Sequence, residues 1–364
     1  MPGHGLMKLS AAERATRFCR RFGLTVPVLE APMAGANSIA RAAAVANAGG
    51  MGGLGALLMN PDEIADWVSR FRAQRKGALN INLWIPEPGP PIRDAAREAS
   101  VRAFLAQWGP PVDEKAGDFA PIDFAAQCRA VLAARPSAAS SIMGLYPPAF
   151  VRQFKENNVA WFATATTLSE ARAAQAAGAD AIIAQGFEAG GHRGAFDNAK
   201  AERQAVGLMA LLPRLADRIE IPIIAAGGIA DGRGLAAALT LGASAVVVGT
   251  ALLSTSESET PSAWRDALDK TEPEDTWPTR AFSGRLGRAI ANDYVRAAAA
   301  PDSPQPAPYP VQRGLTAKMR AEAAGKNNVR IMQAWAGQSA WMATNQPAED
   351  FVTGIWKDAQ TLLP

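Results

Sequence analysis

An alternation that repeats along most of the chain sets the strongest limit on its fold. Short runs rich in Val, Ile, Leu and Ala at 26–30, 52–56, 79–83, 140–143, 160–163, 181–185, 222–226 and 245–248 read as strands. Longer Ala-rich stretches between them, including 38–48, 61–74, 169–177 and 232–241, read as helices. That alternation is the pattern of a parallel α/β sheet. Several of the helices run into a glycine, at Gly49, Gly178 and Gly242, where a left-handed C-cap is wanted. Eight such units predict an α/β protein with a (β/α)8 TIM barrel. An open doubly wound sheet uses the same alternation and stands as the other architecture.

Two stretches break the rhythm. Residues 84–139 carry Pro86, Pro88, Pro90, Pro91, Pro110 and Pro111 and form an elaboration after the third strand. Residues 255–335, with Pro301, Pro304, Pro306, Pro308 and Pro310, follow the eighth strand and are long enough for a small capping domain over the barrel mouth. The expected division is a barrel over 1–254, a cap over 255–335 and a helical return to the barrel over 336–364.

Composition removes several function classes. Lys and Arg number 37 against 34 Asp and Glu, a balance too even for a nucleic-acid or membrane-surface protein. The cluster Arg70, Arg72, Arg75 and Lys76 reads as the solvated end of a helix. Cys19 and Cys128 are far apart and the histidines are only His4 and His192, so neither a disulfide framework nor a multi-ligand metal site is expected. No apolar run approaches the roughly 18 residues of a membrane span, and the first residues lack a secretory pattern. A cytoplasmic location is expected.

Three motifs bear on chemistry. Gly50, Gly52 and Gly55 satisfy GxGxxG, but a helix precedes them and a strand follows, the reverse of the dinucleotide-binding order, so close helix-to-strand packing explains them better. The stretch from Pro222 to Ala251 contains Gly227-Gly228 after the seventh strand and Gly249-Thr250 after the eighth. Loops at those two places commonly bind phosphate through backbone N–H groups and a helix N-terminus. Two tight left-handed turns with no ligand are the plainer reading. The third motif, QGFEAGGHRG from Gln185, puts His192 among glycines after the sixth strand, at the mouth where catalytic groups gather. His192 there serves acid–base work or anion holding, or else only braces its loop. Glu188 reads as a loop brace.

These residues resemble the FMN-dependent nitronate monooxygenases, also called 2-nitropropane dioxygenases. The resemblance is carried by Ala31-Pro32-Met33-Ala34-Gly35, Asn82-Leu83, Ala184-Gln185-Gly186, Glu188-Ala189-Gly190-Gly191-His192 and Ala225-Ala226-Gly227-Gly228-Ile229. Phe282-Ser283-Gly284-Arg285, Tyr309-Pro310-Val311-Gln312 and Trp335-Ala336-Gly337-Gln338 extend it through the late segment. It implies FMN at the barrel mouth beneath the cap, with Met33 beside the flavin ring and Asn82, Gln185, Gly190, Gly227 and Gly228 on the flavin or its ribityl phosphate. It also implies a phosphate-binding strand end at Val247-Val248-Gly249-Thr250, where Val247 and Val248 depart from the family's Gln-Met and leave backbone contacts only. Some relatives have a lysine near the flavin where this chain has Thr164 or Ala165. Gln338 and Ser339 are further candidates for the cavity wall.

The activity so implied is oxidation of alkyl nitronates, and of nitroalkanes where the neutral form is accepted, by O2 to carbonyl compounds and nitrite, with His192 as the catalytic residue. A neutral His192 serves as general base toward a nitroalkane, and a donor or protonated one steadies a nitronate. An NAD(P)H-dependent flavin reductase acting on quinones or enoyl thioesters is the nearest rival. A flavin-free barrel isomerase or aldolase and a non-catalytic flavin-binding protein stand behind it.

Overall fold

A computed structural model describes residues 9–74, 77–119 and 121–363. His4, Arg75 and Lys76 lie outside the described residues. Strands β1 (Val28–Glu30), β2 (Met51–Gly55), β3 (Ala78–Trp84), β4 (Ala138–Ile142), β5 (Ala160–Ala165), β6 (Ala181–Gln185), β8 (Ile223–Ala226) and β9 (Ala245–Val248) close into one parallel barrel in the order β1-β2-β3-β4-β5-β6-β8-β9. The register Val28↔Val246, Leu29↔Val247, Glu30↔Val248 joins β9 back to β1 and removes the open-sheet alternative. Short strands β7 (Gly191–His192), β10 (Thr276–Thr279) and β11 (Gly287–Ile290) form a separate antiparallel sheet, which ties the loop after β6 to the segment that follows the barrel.

The period of two along each strand divides the core. Leu29, Met51, Phe162, Ile183, Ile224 and Val247 point inward, whereas Val28, Ile182, Ile223, Val246 and Val248 pack outward under the helices. Helix Ala11–Phe22 closes the N-terminal end of the barrel: Phe18 and Phe22 lie 6.3 and 5.0 Å from the Phe162 ring. The GxGxxG glycines serve packing, since a Cβ on Gly52 would sit 2.6 Å from the Ala42 carbonyl oxygen and one on Gly55 would sit 2.4 Å from the Ala34 nitrogen.

The elaboration over 84–139 divides between two layers. Helix Phe124–Ala134 covers the barrel through Cys128 and Val131, whereas helix Ala95–Leu105 sends Val101 and Leu105 into a core with Phe282, Tyr294, Val311 and Leu315. Helix Ala348–Leu362 returns against helices Ile39–Asn47 and Gly232–Thr240.

One buried ion pair fixes the β1–β2 seam. Glu30 lies outside the barrel wall, where its carboxylate accepts from Arg41 Nε at 2.7 Å and from the Gly53 N–H at 2.9 Å. Arg41 Nη2 donates to the Ala36 carbonyl and Nη1 to Ser258 Oγ. Removing one partner leaves the other charge buried alone, so Glu30→Ala should lose about 3–5 kcal/mol in denaturant unfolding. A loss below about 1 kcal/mol would show that water replaces the pair.

Candidate active site

Period-two alternation also builds the floor of the site. Asn82 and Trp84 at the end of β3, Ile142 on β4, Thr164 on β5, Gln185 on β6, Ala226 on β8 and Val247 on β9 all point inward at the C-terminal ends of their strands and line a cavity of about 520 Å³. That volume falls within the roughly 300–1,000 Å³ usual for cofactor and small-molecule sites. The segment after the barrel supplies the roof through Trp264, Arg313, Arg320, Met332 and Trp335.

Glycine turns form one wall. Gly227 and Gly228 have φ of +120° and +69°, conformations that most side chains avoid, and with Gly249 and Thr250 they face the cavity. Ser339 Oγ donates to the Gly228 carbonyl at 2.7 Å, and the Gly337 N–H donates to Thr250 Oγ1 at 3.0 Å, so 337–339 pins both turns. Helix Gly232–Thr240 is already capped: Asp231 Oδ1 accepts the Gly234 N–H at 3.0 Å. An anion at this wall would therefore meet the glycine backbone and not that helix terminus. Glu188 is the brace its position suggests, with both carboxylate oxygens accepting the Leu208 N–H at 2.8 and 3.0 Å.

His192 is held from three directions. The β7–β11 pairing sets its backbone, and Gln185 grips its loop, with Nε2 donating to the His192 carbonyl at 2.9 Å and Oε1 accepting the Gly194 N–H at 2.7 Å. The imidazole Nε2 lies 2.7 Å from Ser283 Oγ, and the ring sits edge-on to Trp84 and Trp335, each 4.7 Å away. Burial, then the positive charges of Arg313, Arg285 and Arg320, hold its pKa well below the ordinary histidine value. His192 is thus a neutral imidazole at neutral pH, and the protonated form considered from sequence is disfavoured in this setting.

Of the residues singled out from sequence, Met33, Asn82, Gln185, Gly190, His192, Gly227, Gly228, Val247, Gly249 and Thr250 line this one cavity. Val248 does not. Its side chain points outward and is fully buried beneath the helices, while its carbonyl accepts the Ala31 N–H at 2.8 Å, as the alternation after inward-facing Val247 requires. Ser339 lines the cavity and Gln338 is not among its lining residues.

Sequence reasoning missed the two arginines. Arg313 and Arg320 are seven residues apart, a spacing that places them on one face of a helical stretch, and this was the signal available. Among the described residues no Asp or Glu lines the cavity, and no group of three or more His, Cys, Asp or Glu could hold a metal ion. No helix among them is long and apolar enough to cross a membrane.

Comparison with known proteins agrees with this geometry. The family model for nitronate monooxygenase matches residues 17–358. A nitronate monooxygenase of Paraburkholderia phytofirmans is 37% identical over 92% of this chain and 93% of its own. The structure of nitroalkane oxidase from Streptomyces ansochromogenes superposes with a TM-score of 0.85 at 32% identity, covering 94% of this chain and 98% of that one. FabK from Thermotoga maritima superposes with a TM-score of 0.74 at 25% identity, covering 95% and 96%. With its closed barrel, capped mouth and matching sequence over nearly the whole length, the chain belongs to the nitronate monooxygenase family of flavin-dependent oxidoreductases.

Proposed function

We propose that this chain uses FMN and O2 to oxidise alkyl nitronates, the anions of nitroalkanes, to carbonyl compounds and nitrite. The observation that carries this reading is the charge of the cavity: two arginines, one neutral imidazole and, among the described residues, no carboxylate. Such a lining favours a small organic anion over a neutral or cationic ligand. The turns at Gly227-Gly228 and Gly249-Thr250 suit the flavin phosphate, because the missing side chains let the backbone approach it closely. Residues 255–335 would then be a cap that keeps water from the reacting carbon.

When bound, FMN supplies the redox chemistry, and the protein supplies binding and orientation. Asn82 and Gln185 form a polar floor that would hold the flavin, and Gln185 keeps one amide hydrogen free after its bond to the His192 carbonyl. Ser283 Oγ lies 2.7 Å from His192 Nε2 and 3.3 Å from the Arg285 carbonyl; in the tautomer that carries the proton on Nε2, His192 donates to Ser283 and Nδ1 carries the lone pair. A neutral nitroalkane gives its α-proton to that nitrogen. The imidazolium formed then lies beside the new nitronate, whose negative charge offsets the repulsion from the arginines. A nitronate supplied as the anion needs no such step.

Three outcomes follow. Heat-released cofactor should be FMN, and Gly228→Asp should lower the flavin content of purified protein, because it adds volume 3.2 Å from Glu188 Cβ and a negative charge beside a phosphate. Unchanged content would place the phosphate elsewhere. His192→Ala should retain flavin while activity on neutral nitroalkanes falls by about 10²–10⁴-fold. Its activity on preformed nitronates should fall by only about 10- to 150-fold. Equal, small losses on both would reduce His192 to a loop brace.

The depressed pKa also gives stability a sign. Below about pH 6.5 the unfolded chain binds a proton at His192 that the folded chain refuses. The stability tied to this group is present above that pH and is lost as pH falls toward the folded-state value. His192→Asn should therefore be less destabilising, or more stabilising, at pH 5.5 than at pH 7.5 in chemical unfolding. The difference between the two pH values should be about 1.4 kcal/mol in all, because only about one pH unit of that interval lies below the unfolded-state value. A pH-independent difference would mean that the imidazole titrates normally.

A further inference from the structure

Arg193, the neighbour of His192 in sequence, is a buried cation whose hydrogen-bond acceptors are all uncharged. It is 6% exposed, and unlike His192 it is not among the residues lining the site cavity. Its guanidinium donates through Nη1 to the Gln185 carbonyl at 2.6 Å, and through Nη2 to the carbonyls of Gln204 at 3.2 Å and Thr166 at 3.5 Å. Its backbone N–H donates to the Leu286 carbonyl at 2.8 Å, where the chain enters β11. One residue thus ties together the ends of β5 and β6, the loop beyond β7 and the antiparallel sheet.

The ties run in both directions. The Gln185 side chain holds the main chain at His192 and Gly194, and the Arg193 side chain holds the main chain at Gln185. His192 lies inside this reciprocal clasp. Glu170 closes its far end: one carboxylate oxygen accepts the Thr166 N–H and Oγ1–H, each at 2.7 Å, and the other accepts the Phe196 N–H at 2.8 Å. Stability alone does not account for the arginine. Burial draws its pKa down to about 10, so at neutral pH it stays charged in a setting that opposes charge, and its buried Nε has no acceptor. Apolar residues often replace such buried ions without loss of stability. What the guanidinium adds is a rigid fork that reaches carbonyls on separate segments at once.

We propose that Arg193 is a positioning residue for proton transfer: by closing the clasp from behind, it holds His192 in one place and its imidazole in one orientation at the cavity wall. This rests on the reading of His192 as the base toward a neutral nitroalkane. Displacing a reacting group by about 1 Å costs about 10²-fold in rate, so loosening the clasp reaches the chemistry without touching the ligand.

The test uses flavin-loaded wild type, Arg193→Met, His192→Ala and the double variant, with 1-nitropropane and its preformed nitronate as substrates and rates taken per bound flavin. Arg193→Met should lower kcat on the neutral nitroalkane by about 10- to 100-fold with little change in KM, and on the nitronate by less than about fivefold. In the His192→Ala background the same change should cost less than about threefold on either substrate, because the group it positions is gone. Equal losses on both substrates, or an undiminished loss in the His192→Ala background, overturns the proposal and leaves Arg193 a packing residue. A second readout needs no turnover. The chain has only His4 and His192, so 15N-histidine labelling gives two imidazole patterns, and His192→Ala identifies its own. Wild type should show His192 as a single neutral tautomer, and Arg193→Met should show an average of two. Averaging already present in wild type, or an unchanged pattern in Arg193→Met, also overturns the proposal. The wild-type spectrum needs no variant to fold. A ring freed by Arg193→Met, in a protein that turns over neither substrate, would sustain the positioning role and defeat the nitronate reading instead.

Discussion

The mouth of this barrel depends on the buried contact between Glu30 and Arg41. Strand β1 is three residues long and meets β2 through the single register pair Leu29↔Met51, too little to fix the seam by backbone pairing alone. The Glu30 carboxylate adds a bond to the Gly53 N–H, and Arg41 carries the connection onward to the Ala36 carbonyl and to Ser258 beyond the barrel. Asn37 completes the clamp by exchanging two hydrogen bonds of 2.9 Å with the Gly55 backbone. The loop carrying Met33 and the chain leaving for the roof are thus set by one charged pair. Such pairs add little net stability against an apolar replacement. Here the pair connects four segments that must agree in position.

A second electrostatic arrangement follows at the mouth itself. The barrel floor gives neutral side chains and glycine backbone, and the roof gives the cations. Burial, and after it the positive charge of the arginines, keeps His192 unprotonated, and an anionic ligand would relax the second of these. Proton affinity at His192 and binding of an anion beside it would therefore be linked, each raising the other. The aromatic enclosure by Trp84 and Trp335 strengthens the coupling, because charges interact more strongly where water is excluded.

The barrel was legible because its signals are local. Short strands alternate with helices along the chain, some of them ending at glycine, and the eight barrel strands found overlap the eight read from sequence. The floor was legible for the same reason, since Asn82, Gln185 and Val247 sit at strand ends that alternation can assign. Val248 shows the limit of a motif taken as a block, because adjacent strand residues face opposite sides. The roof was hidden. Arg313 and Arg320 reach the cavity only through contacts of segment 255–335 with distant parts of the chain, such as Tyr309 on Trp84 and Arg285 on Met143, and no local period encodes those. The neutrality of His192 was hidden too, because it results first from burial by the folded cavity and then from charges more than ninety residues away in sequence.

The central claim is that this mouth serves oxidation of an organic nitronate by O2 and not reduction of a substrate by a pyridine nucleotide. Oxygen uptake by the protein as purified, with the 3-nitropropionate nitronate in one vessel and NADH or NADPH in another, separates the two most directly. Rapid uptake with accumulation of nitrite is expected in the first vessel and only slow background uptake in the second. Rapid anaerobic bleaching of the flavin by NADH or NADPH, with no nitrite from the nitronate, would contradict it.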